Sequence, residues 1–598
     1  MNGNYAKNYT DLNHPSSVSG AGAFSEYILP QHMDGWEGLG QGSTVIIQDY
    51  RDGRTVWLSG QVIEMKSISP FMADRDVMLY SGKESDATLL LDEIGGPHIE
   101  QQLVAKVRIE VELEKTNGHF TQSPVQKPAS SRSKMYIPLM KSENVEVPSI
   151  HDILGLKDEG VEVGYYGPGN YPREEEGEFL PYLLDLARLD NKHISIVGES
   201  GSGKTVLLKK LAYEFRKTKI DGEYPRVIMT DVQGDLLQLM MSKNISEIER
   251  KGWQTRLPKG DSIGESLEKM GPFQLILPVS KSTHQEADIA AIKRVVSDNG
   301  HSVTEIGLRV QDIEDISEIE YLLRLSSEQA VIVLEDEMEY LIESGRYPTL
   351  ERLDNRIEIA IAESDNSEEK NKQVVTSKGN SYYKSTFLAA KRGLRHLRDI
   401  FDHHEDSMLR DDNPLSCLKF KGTSIFYLEH LDTEERLMWG MQLVKWLYTN
   451  KREPGDFFVF IDEAHSLVPA KSPEAGKNGT FERLRSNFEK LAREGRKFGI
   501  NLILGTQSPK DLHQIVPQQC PTKIVMKINK ANARAAEIED SESRIASRFG
   551  HGQMFIKSPF NGTPDWIRLH SPTPVLPHES MTNFWPRIRD IANKGAKK

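Results

Sequence analysis

Residues 198–205 of this 598-residue chain read Gly198-Glu199-Ser200-Gly201-Ser202-Gly203-Lys204-Thr205, which fits G-x-x-x-x-G-K-[ST] at every fixed position. Glycines at this spacing let successive backbone N–H groups turn inward and cradle phosphate oxygens. Lys204 is placed to reach β- and γ-phosphates, and the Thr205 hydroxyl to ligate Mg²⁺. Val206, Leu207, Leu208 and Leu211 follow at helical spacing, so the loop opens onto a helix whose N-terminal end adds positive potential. Ile194, Ile196 and Val197 before it read as a buried strand. The plain alternative, a glycine-rich strand-to-helix turn that binds nothing, leaves Lys204 and Thr205 without a reason. Gly198, Ser200, Gly201, Ser202, Gly203, Lys204, Thr205 and Val206 are therefore the expected nucleotide contacts.

A P-loop needs a carboxylate for the metal and a base for the attacking water. Phe457–Ile461 are five consecutive apolar residues, the pattern of a central parallel strand, and they end in Asp462-Glu463. Asp462 is expected to hold the Mg²⁺ shell with Thr205, and Glu463 to orient and deprotonate water. A second buried run, Ile500–Gly505, ends in Thr506-Gln507, where a polar side chain can sense the γ-phosphate. Ahead of it, the amphipathic stretch 481–499 ends with Arg493, Arg496 and Lys497 clustered. The apolar run that ends in Asp231 carries Gln233, Gly234 and Asp235 in the turn beyond. Asp231 is either a ligand-facing carboxylate at a strand end or a turn former. VIVLEDEMEY (331–340) imitates an acidic strand end, but Val331, Leu334, Met338 and Leu341 share a helical face. It is expected to be helix, with Glu335 and Asp336 as surface charges and no metal role.

These pieces need a doubly wound scaffold, and the chain has room for it. At ~100–200 residues per domain it should hold several domains. The organisation expected is an N-terminal arm (1–35), a small β-barrel (36–145), an α/β RecA-like ATPase core (146–240 and 415–575), a helical insertion (241–414) and a C-terminal tail (576–598). The barrel rests on STVIIQ, TVWLSGQVIEM and LVAKVRIEVELE, with MYIPLM closing it and 115–134 as linker or long hairpin. Lys204 and Asp462 are 258 positions apart, more than the βα units there require, and the insertion takes up the excess. Within it, FQLILPVS (273–280) reads as a strand. The stretch 384–405 reads as a helix with the stripe Leu388, Leu394, Leu397 and Ile400, its basic residues on a solvated face. Residues 363–373 form a charged loop.

Composition is 38% hydrophobic and 27% charged, and no apolar run approaches the ~18–20 residues needed to span a bilayer. No secretory signal opens the chain, and two cysteines build neither a disulfide framework nor a cysteine zinc site. A cytoplasmic, membrane-free protein is expected. The net charge of −13 argues against a surface coated for nucleic acid, while leaving room for a locally basic channel.

Four stretches together, HISIVGESGSGKT, VIMTDVQGDL, FVFIDEAHSLVP and LAREGRKFGINLILGTQSP, resemble the HerA family of hexameric DNA translocases, relatives of the FtsK pumps. The resemblance covers about 161–240 and 415–575. It implies a homo-hexameric ring that threads double-stranded DNA and hydrolyses ATP with Mg²⁺ between subunits. On it, Lys204 and Thr205 bind nucleotide and metal, Asp462 and Glu463 are the Walker B pair, Gln507 is the sensor, and Arg493 or Arg496 completes a neighbour's site. It also implies a barrel face that docks a nuclease or a sirtuin-type effector. That points to DNA-end processing or antiviral defence, and the long insertion and arm favour defence. A conjugation-type DNA pump and a nucleotide-switched ring scaffold are the competing readings. An intact Glu463 speaks against a pure scaffold.

Overall fold

The computed structural model describes residues 6–8, 23–28, 39–68, 102–241, 270–279, 286–402, 413–470 and 479–595, apart from short stretches within them such as 141–146, 186–191 and 366–372. The charged loop at 363–373 thus lies largely outside the described residues, as does most of the arm. The chain divides into two compact units. One comprises 1–189, 522–533 and 537–572, and the other 190–521, 534–536 and 573–598.

The first unit begins with β1 (Ala6–Asn8), β2 (Ala23–Ile28), β3 (Thr44–Arg51), β4 (Arg54–Ile68), β5 (Gln102–Thr116), β6 (His119–Pro124) and β7 (Lys134–Tyr136). They are ordered β2-β1-β7-β3-β4-β5-β6, with β2 also paired to β5, so the pairings of six strands run round a closed circuit. Asp52 and Gly53, both with positive φ, make the tight turn between β3 and β4. The alternating residues Val45, Ile47, Leu58, Val62, Ala105, Val107 and Ile109 bury a common core. The N-terminal arm, polar and mixed in sequence and read from it as irregular, supplies β1 and β2. Its alternation is too short and polar to see in sequence, yet Tyr27 is fully buried and its hydroxyl pairs with Ser133 Oγ at 3.0 Å. Within 115–134, the hairpin alternative holds, since β6 pairs back on β5. β8 (Val161–Tyr166) pairs antiparallel with β11 (Pro181–Leu184), and β9 (Glu174–Glu175) with β10 (Glu178–Phe179).

The second unit is α/β. Its strands are β12 (Ile194–Val197), β13 (Arg226–Asp231), β14 (Phe273–Pro278), β15 (Ser302–Ile306), β18 (Thr423–Tyr427), β19 (Phe457–Ile461) and β20 (Ile500–Thr506), with a separate β16–β17 hairpin (Gln373–Val375, Ser381–Tyr383). They run in the order β12-β20-β19-β13-β18-β14-β15, every pair parallel. β12, β13, β14, β18, β19 and β20 are buried along their whole length, as the continuous apolar runs require of a sheet covered on both faces. β14 matches the strand expected at 273–280. β15, SVTEI, was not foreseen, because an exposed edge strand carries little apolar signal.

VIVLEDEMEY lies in the helix Glu328–Glu343, as its periodicity predicts. The surface assignment of its acids needs correction, since Asp336 is buried and accepts hydrogen bonds from Thr376 Oγ1 (2.7 Å) and Asn380 Nδ2 (2.9 Å). The helix Lys384–Leu397 buries Phe387, Ala390, Leu394 and Leu397, while Leu388 is 44% exposed and leaves the predicted stripe. Lys391 and Arg398 pair with carboxylates of the preceding helix, Glu358 and Asp354, as a solvated face would. The chain then returns to the first unit, where β21 (Thr522–Val525), β22 (Gln553–Lys557) and β23 (Ile567–His570) extend the antiparallel order β11-β8-β23-β22-β21.

Candidate active site

Every strand of the parallel sheet ends its C-terminal edge on the same side, where open α/β sheets bind ligands. The registers place Val197 beside Thr506 and Ile461 beside Leu504, so β20 stands between β12 and β19. The glycine-rich loop follows β12, the acidic pair follows β19, and Gln507 follows β20 between them. Three stretches far apart in sequence thus meet in one place for topological reasons.

Within the loop, Gly201 (φ 75°) and Gly203 (φ 102°) occupy left-handed conformations, and a side chain would be strained at either. A Cβ at Gly201 would touch nothing within 4 Å, so backbone geometry and not space selects glycine there. Gly203 caps the helix Lys204–Lys217, whose Leu207, Leu208 and Leu211 are buried. Ser202 is buried in the loop, whereas Glu199 and Ser200 are partly or fully exposed.

Lys204, Asp462 and Glu463 are all buried. Lys204 Nζ donates to Asp462 Oδ1 at 3.0 Å and, very closely, to Glu463 Oε1. Thr205 Oγ1 donates to Asp462 Oδ2 at 3.0 Å. Gln507 Nε2 reaches Glu463 Oε1 at 2.5 Å, and its backbone N–H faces Glu463 Oε2 at 3.4 Å. Glu463 itself holds φ +48°, an uncommon conformation for a residue with a Cβ. Its carbonyl is fixed by Ser466 Oγ at 2.8 Å. The structure therefore brings Lys204, Thr205, Asp462, Glu463 and Gln507 together as the motifs predict. A hydroxyl and a carboxylate sharing one hydrogen bond are the hard oxygen donors that Mg²⁺ takes, so the donor set fits that ion.

Arg493 and Arg496 are not part of this cluster. Both are exposed, and Arg493 pairs with Glu489 at 2.7 Å. They precede β20, at the opposite end of its seven residues from Gln507. At ~3.3 Å per residue that is about 20 Å from the loop, beyond an arginine's reach.

Four contributors were given no role in the site from sequence. Gly505 has no room for a side chain, because a Cβ there would sit 2.9 Å from Leu208 Cδ1 and 3.2 Å from Asp462 Oδ1. His465 Nδ1 lies 3.1 Å from Thr506 Oγ1 and 3.4 Å from Glu463 Oε2. His193 is fully buried, with Nε2 2.9 Å from the Ala492 carbonyl and Nδ1 accepting from Leu502 N–H at 2.9 Å. Burial pushes its pKa down to about 4, which fits a neutral ring that donates from Nε2 and ties the end of the arginine-bearing helix to the P-loop strand. Asp235 stands near Asp462 and Lys204, and burial raises its carboxyl, opposed chiefly by Lys209. No spacing rule points to any of these residues.

For Asp231, the turn-former alternative describes its bonds. It accepts from Gly234 N–H at 2.7 Å and Leu237 N–H at 3.0 Å. Burial, with Asp235 nearby, pushes its pKa up to about 7. Lys209, also buried, is pushed down to about 8 by desolvation and bonds Gln238 Oε1 at 3.2 Å.

Parts of the chain are similar to known proteins. The central domain of helicase HerA is the family whose model matches, over residues 168–438. The match takes in a little under half of the chain, which is similar to that family over this span. The matched span contains the loop and Asp231 but stops before β19 and β20. Among curated proteins, the chain is 39% identical over 118 residues to a probable DNA double-strand break repair helicase HerA of Methanocaldococcus jannaschii, covering 19% of this chain and 22% of that one. It is 32% identical over 85 residues to the DNA double-strand break repair helicase HerA of Sulfurisphaera tokodaii, covering 14% and 16%. The aligned segments are thus under a quarter of these relatives' lengths. Among solved structures, VirB4 of Thermoanaerobacter pseudethanolicus aligns with 72% of this chain and 99% of its own, at TM-score 0.42 and 13% identity. Among the described residues, no helix is long and apolar enough to cross a membrane.

Proposed function

We propose that the chain is an ATP-driven translocase or helicase of double-stranded DNA that works as a homo-hexameric ring. The observation that carries this is the split between the two halves of the site. Lys204, Thr205, Asp462, Glu463 and Gln507 form one cluster, while Arg493 and Arg496 stand about 20 Å away at the other end of β20. A site that needs an arginine for transition-state charge must then take it from a neighbouring copy, which couples turnover to assembly.

The chemistry follows from the bonds. Mg²⁺, held by Thr205 Oγ1 and Asp462, would neutralise charge on the β- and γ-phosphates of ATP. Lys204 exchanges its pairs with Asp462 and Glu463 for phosphate oxygens. That exchange releases the Glu463 carboxylate to take the proton of the attacking water. Gln507, bonded to Glu463 by side chain and backbone, registers the exchange and passes it to the segment after β20. The named activities of the matched helicases, and the stretches they share with this chain, support the same reading.

We read the closed circuit of β1–β5 and β7 as a small barrel that docks a nuclease or sirtuin-type effector, in antiviral defence or DNA-end processing. Of the helical insertion expected over 241–414, β14 and β15 join the core sheet, and we read the helices between β15 and β18 as the lobe inserted in the ATPase core. A subunit-mixing assay tests the ring. Lys204→Ala and Arg493→Ala/Arg496→Ala chains are each inactive alone, and mixed rings regain part of the ATP hydrolysis, because some interfaces then unite an intact loop with an intact arginine. No recovery in co-assembled rings would contradict an arginine supplied in trans.

A further inference from the structure

The first unit contains a cleft of about 610 Å³ that the proposed function does not use. Among the described residues, four cations line it, Lys530, Arg544, Arg548 and Arg568, and no carboxylate does. In a chain of net charge −13 this is a local reversal of sign. Lys530, Arg544 and Arg548 are exposed. The neighbouring acid Glu542 is buried and turned to Arg108, at 3.5 Å, so it does not neutralise them. Arg544 and Arg548 are four residues apart at the end of the short helix Asp540–Ala546, where like charges repel unless an anion lies between them. A helix C-terminus favours a cation. It gives no account of the other two cations or of the missing carboxylates.

Arg568 gives the cleft a floor. Its guanidinium lies 5.1 Å from the centroid of the buried Phe549 ring, donates to the Pro168 carbonyl, and contacts Gln553 Oε1 at 3.4 Å. Its Nε is buried without a hydrogen-bond partner. Burial also depresses its pKa, the sign of a cation held partly out of water. A half-buried arginine backed by an aromatic ring presents a flat cationic face, suited to stacking on a planar ring or bonding phosphate oxygens.

We propose that this cleft is a second anion site, distinct from the P-loop, for a phosphate-rich small molecule of nucleotide size. The volume lies within the ~300–1,000 Å³ of small-molecule sites. The flexible pair Arg544 and Arg548 would clamp a di- or triphosphate, with Lys530 at the rim and Arg568 beneath.

The test uses inorganic tripolyphosphate titrated calorimetrically into the full chain carrying Lys204→Ala, which weakens the P-loop as a competing site. Adding Arg544→Ala with Arg548→Ala should lower the affinity at least about tenfold, since charge-assisted bonds are lost. Lys391→Ala with Arg392→Ala, which removes the same charge from the other unit, should leave it unchanged. Arg568→Lys, which keeps the charge and loses the flat face, should weaken ATP more than tripolyphosphate. Equal binding in all variants, or an equal loss in the Lys391/Arg392 control, would overturn the proposal. So would binding of a 20-base-pair duplex that depends on Arg544 and Arg548 while tripolyphosphate binding does not, because the cleft would then be a nucleic-acid track. The Arg544→Ala/Arg548→Ala variant should melt with the parent, since both side chains are exposed.

Discussion

Glu463→Gln separates the roles that the structure gives this carboxylate. In the folded site Oε1 accepts from Lys204 Nζ and from Gln507 Nε2, and Oε2 faces the Gln507 N–H at 3.4 Å and His465 Nδ1 at 3.4 Å. The oxygen of a glutamine can keep both Oε1 bonds, while its amide nitrogen would face the Gln507 N–H, donor against donor. The loss is one long hydrogen bond and part of the charge assistance from Lys204, which retains Asp462 at 3.0 Å. We expect a stability cost of about 1–2 kcal/mol, too little to unfold the chain or empty the loop. Loss of a general base costs ~10²–10⁴-fold in turnover, or about 3–5.5 kcal/mol of barrier. Phosphate release at saturating ATP should fall by that factor, while a fluorescent ATP analogue binds within about threefold of wild type. Turnover within fivefold of wild type, with binding intact, would refute the assignment of Glu463 as base. Loss of binding together with turnover would make it a structural partner of Lys204.

Three further outcomes follow from the same contacts. Gly505→Val crowds Leu208 and Asp462, and overpacking of this kind costs ~1–3 kcal/mol, so both denaturant midpoint and nucleotide affinity should drop. His193→Ala strands the Ala492 carbonyl and the Leu502 N–H, at about 2–4 kcal/mol, measurable by urea unfolding. Because its folded pKa of about 4 lies below the usual value, the His193 contribution is present above pH ~6.5 and fades as pH falls toward 4. Asp231 behaves oppositely. Its folded pKa of about 7 exceeds the unfolded value, so the native state holds the proton more tightly and its contribution declines as pH rises from ~4 to 7. Subtracting the stability–pH curve of Asp231→Asn from that of wild type should show that slope, and a flat difference would count against it.

The glycine-rich loop was legible because the fixed positions of its motif fall within eight consecutive residues. Asp462, Glu463 and Gln507 were legible because each ends a strand too apolar to lie anywhere but mid-sheet. Gly505 was not, since what excludes a side chain there is Leu208 on the P-loop helix, some 300 positions earlier. His193 and Asp336 were hidden for the same reason. A polar residue on an apolar element reads as exposed until its partners, Ala492 and Leu502 or Thr376 and Asn380, are in place. β1, β2 and β15 were missed because short or edge strands need not alternate strongly. They are held by pairing to long neighbours and not by their own pattern.

The most direct test of the central claim is steady-state ATP hydrolysis by the purified chain, with and without linear double-stranded DNA, beside Lys204→Ala. Hydrolysis should be stimulated by duplex DNA and abolished by Lys204→Ala. Hydrolysis indifferent to DNA would contradict the translocase, and a Lys204→Ala chain as active as wild type would contradict the site itself.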